Sequence, residues 1–208
     1  MTEEDKIALL EKQQDYLAYD RYEYPMMARI FHNKNIKNVK IFGGFFNLYF
    51  FYIASTVGSL KGTNIDSFKE GDRLRSRHTL YKKIFNFKGE YTFHNREANQ
   101  EDLSGDYDCV WDDMDLQRHN IKVDRIKDIL YVYTHNSNPL NFSKVQWMLK
   151  HTDVKLISDH LIISAKTLDT DVFDGLDCIV QENSGIKFIH RTNGLTWPYD
   201  REFWKWKF

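Results

Sequence analysis

The chain has 208 residues, long enough for one sizeable hydrophobic core and short for two full domains. A formal net charge of -1 excludes the global positive field of a dedicated nucleic-acid binder. Cys109 and Cys178 each fall inside a β-favouring run with no paired metal-ligand spacing, which predicts two reduced, buried thiols, a reducing cytoplasmic setting and no zinc site. The charged, helix-forming start from Met1 to Lys12 lacks the basic and apolar regions of a secretory signal. The longest apolar run, Ile41–Gly58, is interrupted by Gly43, Gly44, Asn47, Ser55 and Thr56, so it reads as strand, turn and core helix and not as a membrane span.

In chain order, Glu3–Gln14 predicts a helix with Ile7 and Leu10 on one side. A second helix is expected near Pro25, running through Met26, Met27, Ile30 and Phe31. The intervening Tyr19–Pro25 cluster suits either the mouth of a site, with Tyr24 against substrate, or a set of tyrosines covering the core edge. Together residues 1–37 form a helical lead-in to the sheet.

The chain is organised around Asn38–Gly44, a β-favouring run that stops on Gly43 and Gly44 and passes into the apolar segment Phe45–Leu60. Strand, glycine turn and helix is how a doubly wound sheet brings backbone N–H groups to a nucleotide, although a Gly-Gly pair also serves as a plain tight turn. Gly62–Phe68 follows as a strand with Asp66 near its end, placed either for the two hydroxyls of a ribose or as a helix cap. Gly71–Asn86 is a basic helix whose Arg75 and Arg77 suit an anionic substrate, the bland alternative being a solvated face. Gly89–His94 is a third strand, and Asn95–Gly105 a polar loop.

Tyr107–Asp115 is the sharpest chemical cluster, an apolar strand ending in Asp112, Asp113 and Asp115. Carboxylates crowded at a strand's C-terminal edge hold a metal, a cation or an amine, or cap the next helix. A short helix is expected over Val123–Ile129, a strand over Leu130–Thr134, a polar turn with His135 and Asn136 on the substrate side, and an amphipathic helix over Asn141–His151. Val154–Ser164 and Asp177–Arg191 are read as two long β stretches that pair antiparallel, the second bent at Ser184-Gly185. His135, His160 and His190 read equally as structural imidazoles. The aromatic segment 192–208 is expected to pack back on the domain formed by residues 38–191.

The order of these elements resembles the class I S-adenosylmethionine-dependent methyltransferases. The resemblance rests on the glycine turn after the first strand, the acid ending the second, the Tyr107-Asp108-Cys109-Val110-Trp111-Asp112-Asp113 pattern of the fourth and the terminal antiparallel pair, with Arg21–Pro25 similar to a lead-in of some members. It covers roughly Asp20 to Arg191 and implies a Rossmann-like three-layer α/β sandwich, mainly parallel, with seven strands and the last antiparallel. It further implies S-adenosylmethionine as cofactor, with Gly43 and Gly44 at its methionine part, Asp66 at the ribose, His94 or Asn95 at the adenine, and Asp112 and Asp113 on the substrate side as catalytic acids. The acid that such proteins carry two residues before the first glycine is Ile41 here, and Phe46 replaces a further glycine, so the first motif is degenerate.

The expected activity is methyl transfer to a small-molecule or glycan acceptor. Two alternatives remain: a metal-dependent nucleotide-sugar transferase using the Asp113-Met114-Asp115 pair, and a non-catalytic interaction protein.

Overall fold

The computed structural model describes residues 2, 4, 5, 8, 22–44, 47–69, 71–123, 128–134, 142–169 and 171–192. Nine strands form one sheet: β1 (Asn38–Phe42), β2 (Lys61–Ile65), β3 (Glu90–His94), β4 (Cys109–Asp112), β5 (Leu130–Thr134), β6 (Val154–Ile157), β7 (Leu161–Ser164), β8 (Cys178–Asn183) and β9 (Ile186–Arg191). Their spatial order is β3-β2-β1-β4-β5-β7-β6-β9-β8. Strands β1 to β5 are mutually parallel, β7 runs antiparallel between β5 and β6, and β9 returns parallel to β6. The expected centre, β1 beside β4 beside β5, is observed.

Among the described residues four helices cover the sheet: α1 (Glu23–Asn33), α2 (Leu48–Val57), α3 (Gly71–Ile84) and α4 (Phe142–His151). Strands sealed on both faces can be apolar on both, and the central ones bury apolar side chains on each face. Val39 and Ile41 of β1, Trp111 of β4 and Val132 of β5 pack toward α1, α2 and α3, while Val110 of β4 and Tyr131 of β5 pack toward Val145 and Met148 of α4. The second face is completed by two 3-10 turns, Gln100–Leu103 and Leu116–His119, whose Leu103 and Leu116 are buried there. Lys40, also facing that side, bonds the carbonyls of Asp102 and Ser104 and lies 5.0 Å over the Tyr107 ring. Among the described residues no helix is long and apolar enough to cross a membrane.

Four expectations change. The sheet has nine strands and not seven, because the hairpin of β8 and β9 extends the edge beyond β6. Val154–Ser164 is not one strand: it turns at Ser158-Asp159-His160 into an antiparallel hairpin, and Asp177–Arg191 turns at Ser184-Gly185. The two stretches therefore meet through β6 and β9 in parallel, not antiparallel. Both cysteines are free, but Cys178 at the head of β8 is only half-buried. The expected Glu3–Gln14 helix lies largely outside the described residues; so do most of Val123–Ile129, His135 with Asn136, and the segment after Thr192.

α1 is tied to the far side of the sheet by two consecutive side chains. The buried Glu23 carboxylate accepts bonds from Ser158 Oγ (2.5 Å) and the His160 backbone N–H (2.9 Å), and its other oxygen lies 2.7 Å from His160 Nδ1. Tyr22 Oη lies 2.8 Å from Asp159 Oδ2 and 3.0 Å from the Ile189 carbonyl. Phe51 of α2 sits at the centre of an aromatic group, its ring centroid 4.9 Å from Tyr91, 5.4 Å from Phe87 and 6.2 Å from Tyr81. Phe51 is fully buried, so Phe51→Ala leaves a cavity and should lower stability by about 3–5 kcal/mol in urea titration, with an unchanged m-value.

Candidate functional site

The strand order reverses between β1 and β4, since the chain goes from β1 outward to β2 and β3 and then returns to β4 on the other side. Ligands of open α/β sheets bind at the carboxyl ends of the strands at such a reversal. The residues brought there are Gly43 and Gly44 after β1, Asp66 after β2 and Asp112 to Asp115 at the end of β4. The turn is stitched to both neighbours, Gly43 N–H donating to the Ile65 carbonyl (3.0 Å) and Asp113 N–H to that of Phe42 (2.8 Å). Gly43 has φ +72, and a Cβ there would stand 2.7 Å from Met114 Cβ, so both conformation and space demand glycine.

Successive residues at the end of β4 point to opposite faces. Asp112 enters the core of the second face and is fully buried. It accepts from the Tyr131 hydroxyl (2.6 Å) and the Leu116 N–H (3.2 Å), with Lys144 Nζ 3.8 Å away. Burial pushes its carboxyl above the ordinary range, opposed by the Lys144 ammonium and by the bonds from Tyr131 and Leu116. Lys144 of α4 is itself enclosed, 3.0 Å from Asp115 Oδ1 and 4.9 Å over the Tyr133 ring. Asp112 thus caps the turn after β4 and anchors a buried lysine, and the catalytic role expected for it has no open approach.

Asp113 turns to the first face and keeps some accessible surface. Its Oδ2 accepts from Tyr49 Oη (2.8 Å) and its Oδ1 from Trp111 Nε1 (3.1 Å), the same indole N–H also lying 2.9 Å from Thr134 Oγ1. Tyr49 stacks on Trp111 at 4.2 Å between centroids. Packing among these groups raises the Asp113 carboxyl to about 7, against the bonds from Thr134 and Tyr49 and with a further upward push from the Asp112 charge. A cleft no larger than a water molecule lies beside Tyr49 and Trp111, walled also by Glu23 and Tyr24 of α1 and Leu161 of β7.

Of the residues expected on the substrate side, Tyr24 joins this cleft, buried and edge-on to Tyr52 at 5.4 Å. Arg75 does not: on α3 it is exposed, pairs with Asp72 at 3.3 Å and lies 5.6 Å over Phe93 of β3, beside the far edge of the sheet. Arg77 is on the same helix, half-buried. His135 and Asn136 lie outside the described residues. On the cofactor side Asp66 is half-buried just past β2, with its N–H on the His94 carbonyl (3.1 Å). His94 ends β3 exposed, and Asn95 is spent locally, its Oδ1 accepting from the Phe68 N–H (3.0 Å) while its amide packs against Gly71.

The Asp113-Met114-Asp115 pair does not converge. Asp113 bonds Tyr49 and Trp111 on one face, while Asp115 Oδ2 pairs with Arg118 (3.0 Å) and Oδ1 with Lys144 on the other. Among the described residues no group of three potential metal ligands occurs. The sequence reading passed over Tyr49, Trp111 and Thr134 as site residues. Their only signal was that they flank the glycine turn and the ends of β4 and β5.

No known family profile and no curated protein matches the sequence. Solved structures do match the fold. A protein described as a caffeoyl-CoA O-methyltransferase from Staphylococcus aureus is similar at 15% identity over 80% of this chain and 93% of its own, with a TM-score of 0.55. A precorrin-6y C5,15-methyltransferase from Geobacter metallireducens is similar at 12% identity over 72% and 89%, with a TM-score of 0.53. A methyltransferase from Geobacter sulfurreducens is similar at 13% identity over 78% and 86%, with a TM-score of 0.51. The chain has the Rossmann-like fold of class I methyltransferases.

The two acids respond oppositely to substitution. Asp112→Ala orphans the Leu116 N–H and the Tyr131 hydroxyl and removes a buried partner of Lys144, so it should cost about 3 kcal/mol or more. For Asp113 the unfolded chain releases its proton near the ordinary 3.8 and the native protein near 7, so between these values the native state binds more protons. Stability from holding that proton falls as pH rises from about 4 to about 7. Asp113→Asn lacks this loss, so its stability relative to the parent should climb across that window and level off above it, as measured by urea titration at a series of pH values.

Proposed function

We propose that this protein transfers a methyl group from S-adenosylmethionine to a small acceptor that approaches Asp113 at the carboxyl end of β4. The observation that carries this reading is the arrangement β3-β2-β1-β4-β5-β7-β6 with β7 reversed, which sets a glycine turn, a strand-end acid and a half-buried Asp113 around one reversal point. When bound, the cofactor would supply a methyl group on a sulfonium centre, ready for a nucleophile.

The residues present suit such a ligand. Gly43 supplies the left-handed turn after β1, its bare side filled by Met114, and Asp66 offers a carboxylate at the end of β2 for a ribose diol. Asn47 presents a buried oxygen without a hydrogen-bond partner at the same turn. Gly44 has a different part from the one its bareness suggests: a Cβ there would meet Ile41 Cγ2 at 2.5 Å and Tyr49 Oη at 2.8 Å, so its missing side chain makes room for the protein's own.

Acceptor chemistry falls to Tyr49 and Asp113. Tyr49 donates its proton to Asp113, which leaves the phenol lone pairs to accept from an incoming hydroxyl. A carboxyl held near 7 is poised to take up a proton at neutral pH. Trp111 stacks on Tyr49 and holds the phenol in place. Asp112 is left out of this machinery. A domain formed by residues 38–191 with an N-terminal lead-in, working in the reducing setting of the cytoplasm, accords with two free thiols.

The non-catalytic reading draws on one observation, the fully buried Ile41 in the place of an acid. Thermal shift separates the two. A ligand bound only by the native state raises the melting temperature. S-adenosylmethionine and S-adenosylhomocysteine should do so, and nucleotide sugars with manganese should not. Asp66→Ala should weaken either ligand by at least about tenfold, the loss of one charge-assisted bond. No shift and no calorimetric heat at millimolar ligand would leave the fold and remove the activity.

A further inference from the structure

α3 buries only Gly71, Leu74, His78 and Tyr81, and of these Leu74 and Tyr81 belong to the first-face core. What faces outward is charged. Between Lys69 and Lys88 stand seven Lys and Arg residues against two acids, Glu70 and Asp72, an excess of five positive charges in a chain whose net charge is -1. Lys69, Arg73, Arg75, Lys83 and Lys88 are exposed, while Arg77 and Lys82 are half-buried. Two of these cations border the outer edge of β3. The Arg75 guanidinium lies 5.6 Å over the Phe93 ring, and Lys82 Nζ lies 5.4 Å over that of Tyr91 and 3.4 Å from the Tyr91 carbonyl. Asp72 pairs with Arg75 at 3.3 Å with both side chains in water, a contact too weak to hold the guanidinium against a competing anion.

The chemistry of this face selects among anionic partners. Protein interfaces centre on apolar and aromatic groups and are poor in lysine, and the outward face of α3 shows one large apolar side chain, Leu80. A helix lying on a membrane sinks its apolar side into lipid, but the apolar side of α3 is spent on the core. A phosphodiester backbone asks for neither, since it is bound by rows of Lys and Arg that displace its counterions. The length also suits it. Arg73 to Lys83 covers about 15 Å of helix axis, the reach of about four phosphates of one strand, with Lys69 and Lys88 beyond the two ends.

We propose that the outward face of α3 is a docking surface for the phosphodiester backbone of a nucleic acid, bound without sequence preference. The field is local, because the rest of the chain is acidic. It is independent of the methyl-transfer reading, for α3 lies against β3 and supplies no group around Asp113.

Fluorescence anisotropy of labelled duplex DNA and duplex RNA, titrated with the full chain, tests this. Kd should lie at about 1–100 µM near physiological salt, and log K should fall by about 0.9 per unit of log salt for each phosphate contacted. Arg73→Gln with Lys83→Gln should weaken binding by about tenfold or more and flatten the salt slope by about two contacts. Lys122→Gln with Lys150→Gln removes the same charge from exposed lysines on the α4 side and should bind within about twofold of the parent. The proposal falls if the parent binds neither duplex at about 50 mM salt, or if both double variants weaken binding alike. It falls too if polyglutamate of matched charge binds as tightly as the duplexes, which would point to an acidic protein partner instead. Should Arg73→Gln with Lys83→Gln not fold, acetylation of the parent decides: either duplex must protect Lys69, Lys83 and Lys88 more than Lys122 and Lys150, and equal protection overturns the assignment.

Discussion

The two-residue period of β4 is the constraint on which the rest of the site depends. Trp111 and Asp113 lie toward α1 and α2, and Asp112 lies toward α4, because neighbours on a strand cannot share a face. Two adjacent carboxylates therefore enter unlike surroundings. Asp112 meets a lysine, a tyrosine hydroxyl and a backbone N–H, and it closes the turn that follows. Asp113 meets a phenol and an indole N–H and keeps some accessible surface. The separation also eases the like-charge crowding that the sequence suggests, since Lys144 sits among Asp112 and Asp115, although the Asp112 charge still acts on Asp113.

That second-face cluster has a positional consequence. Lys144 belongs to α4, the helix between β5 and β6, so its contacts with Asp112 and Asp115 bind the end of β4 to an element that arrives later in the chain. Buried ion pairs add little net stability, but they discriminate sharply between one register and its neighbours. A slip of β4 by one residue would place Asp113 among Lys144 and Tyr131 and put Asp112 in the place of Trp111 on the other face. The cluster thus specifies which carboxylate faces the proposed ligand.

The central sheet was legible in the sequence because its signal is local. Short, largely apolar runs at Val39–Phe42, Cys109–Trp111 and Leu130–Tyr133, punctuated by helix-length segments, read as buried parallel strands, and they are. The β6–β7 hairpin was illegible for the opposite reason. Ser158-Asp159-His160 contains neither glycine nor proline, and the groups that stabilise its turn, Tyr22 and Glu23, lie 137 positions away from Asp159 and His160. The same holds in the site. Asp113 was visible as an acid ending a strand, but its partner Tyr49 stands in an aromatic helix whose sequence reads only as core.

The added β8–β9 hairpin also reaches the site through that turn. Arg191 N–H at the end of β9 donates to Asp159 Oδ2 (3.0 Å), the oxygen that Tyr22 Oη approaches, while Tyr22 also approaches the Ile189 carbonyl. Tyr22 is followed by Glu23, held by Ser158 and His160, and then by Tyr24 in the cleft wall. Three consecutive residues thus link the outer strands to the cleft beside Asp113. The hairpin seals the sheet edge beyond β6 and, by fixing Tyr22, limits how far Tyr24 can withdraw from Tyr49 and Trp111. A cleft wall anchored from the sheet's edge accounts for why α1, which lies outside the alternating strand and helix order, is among the most deeply buried elements of the protein.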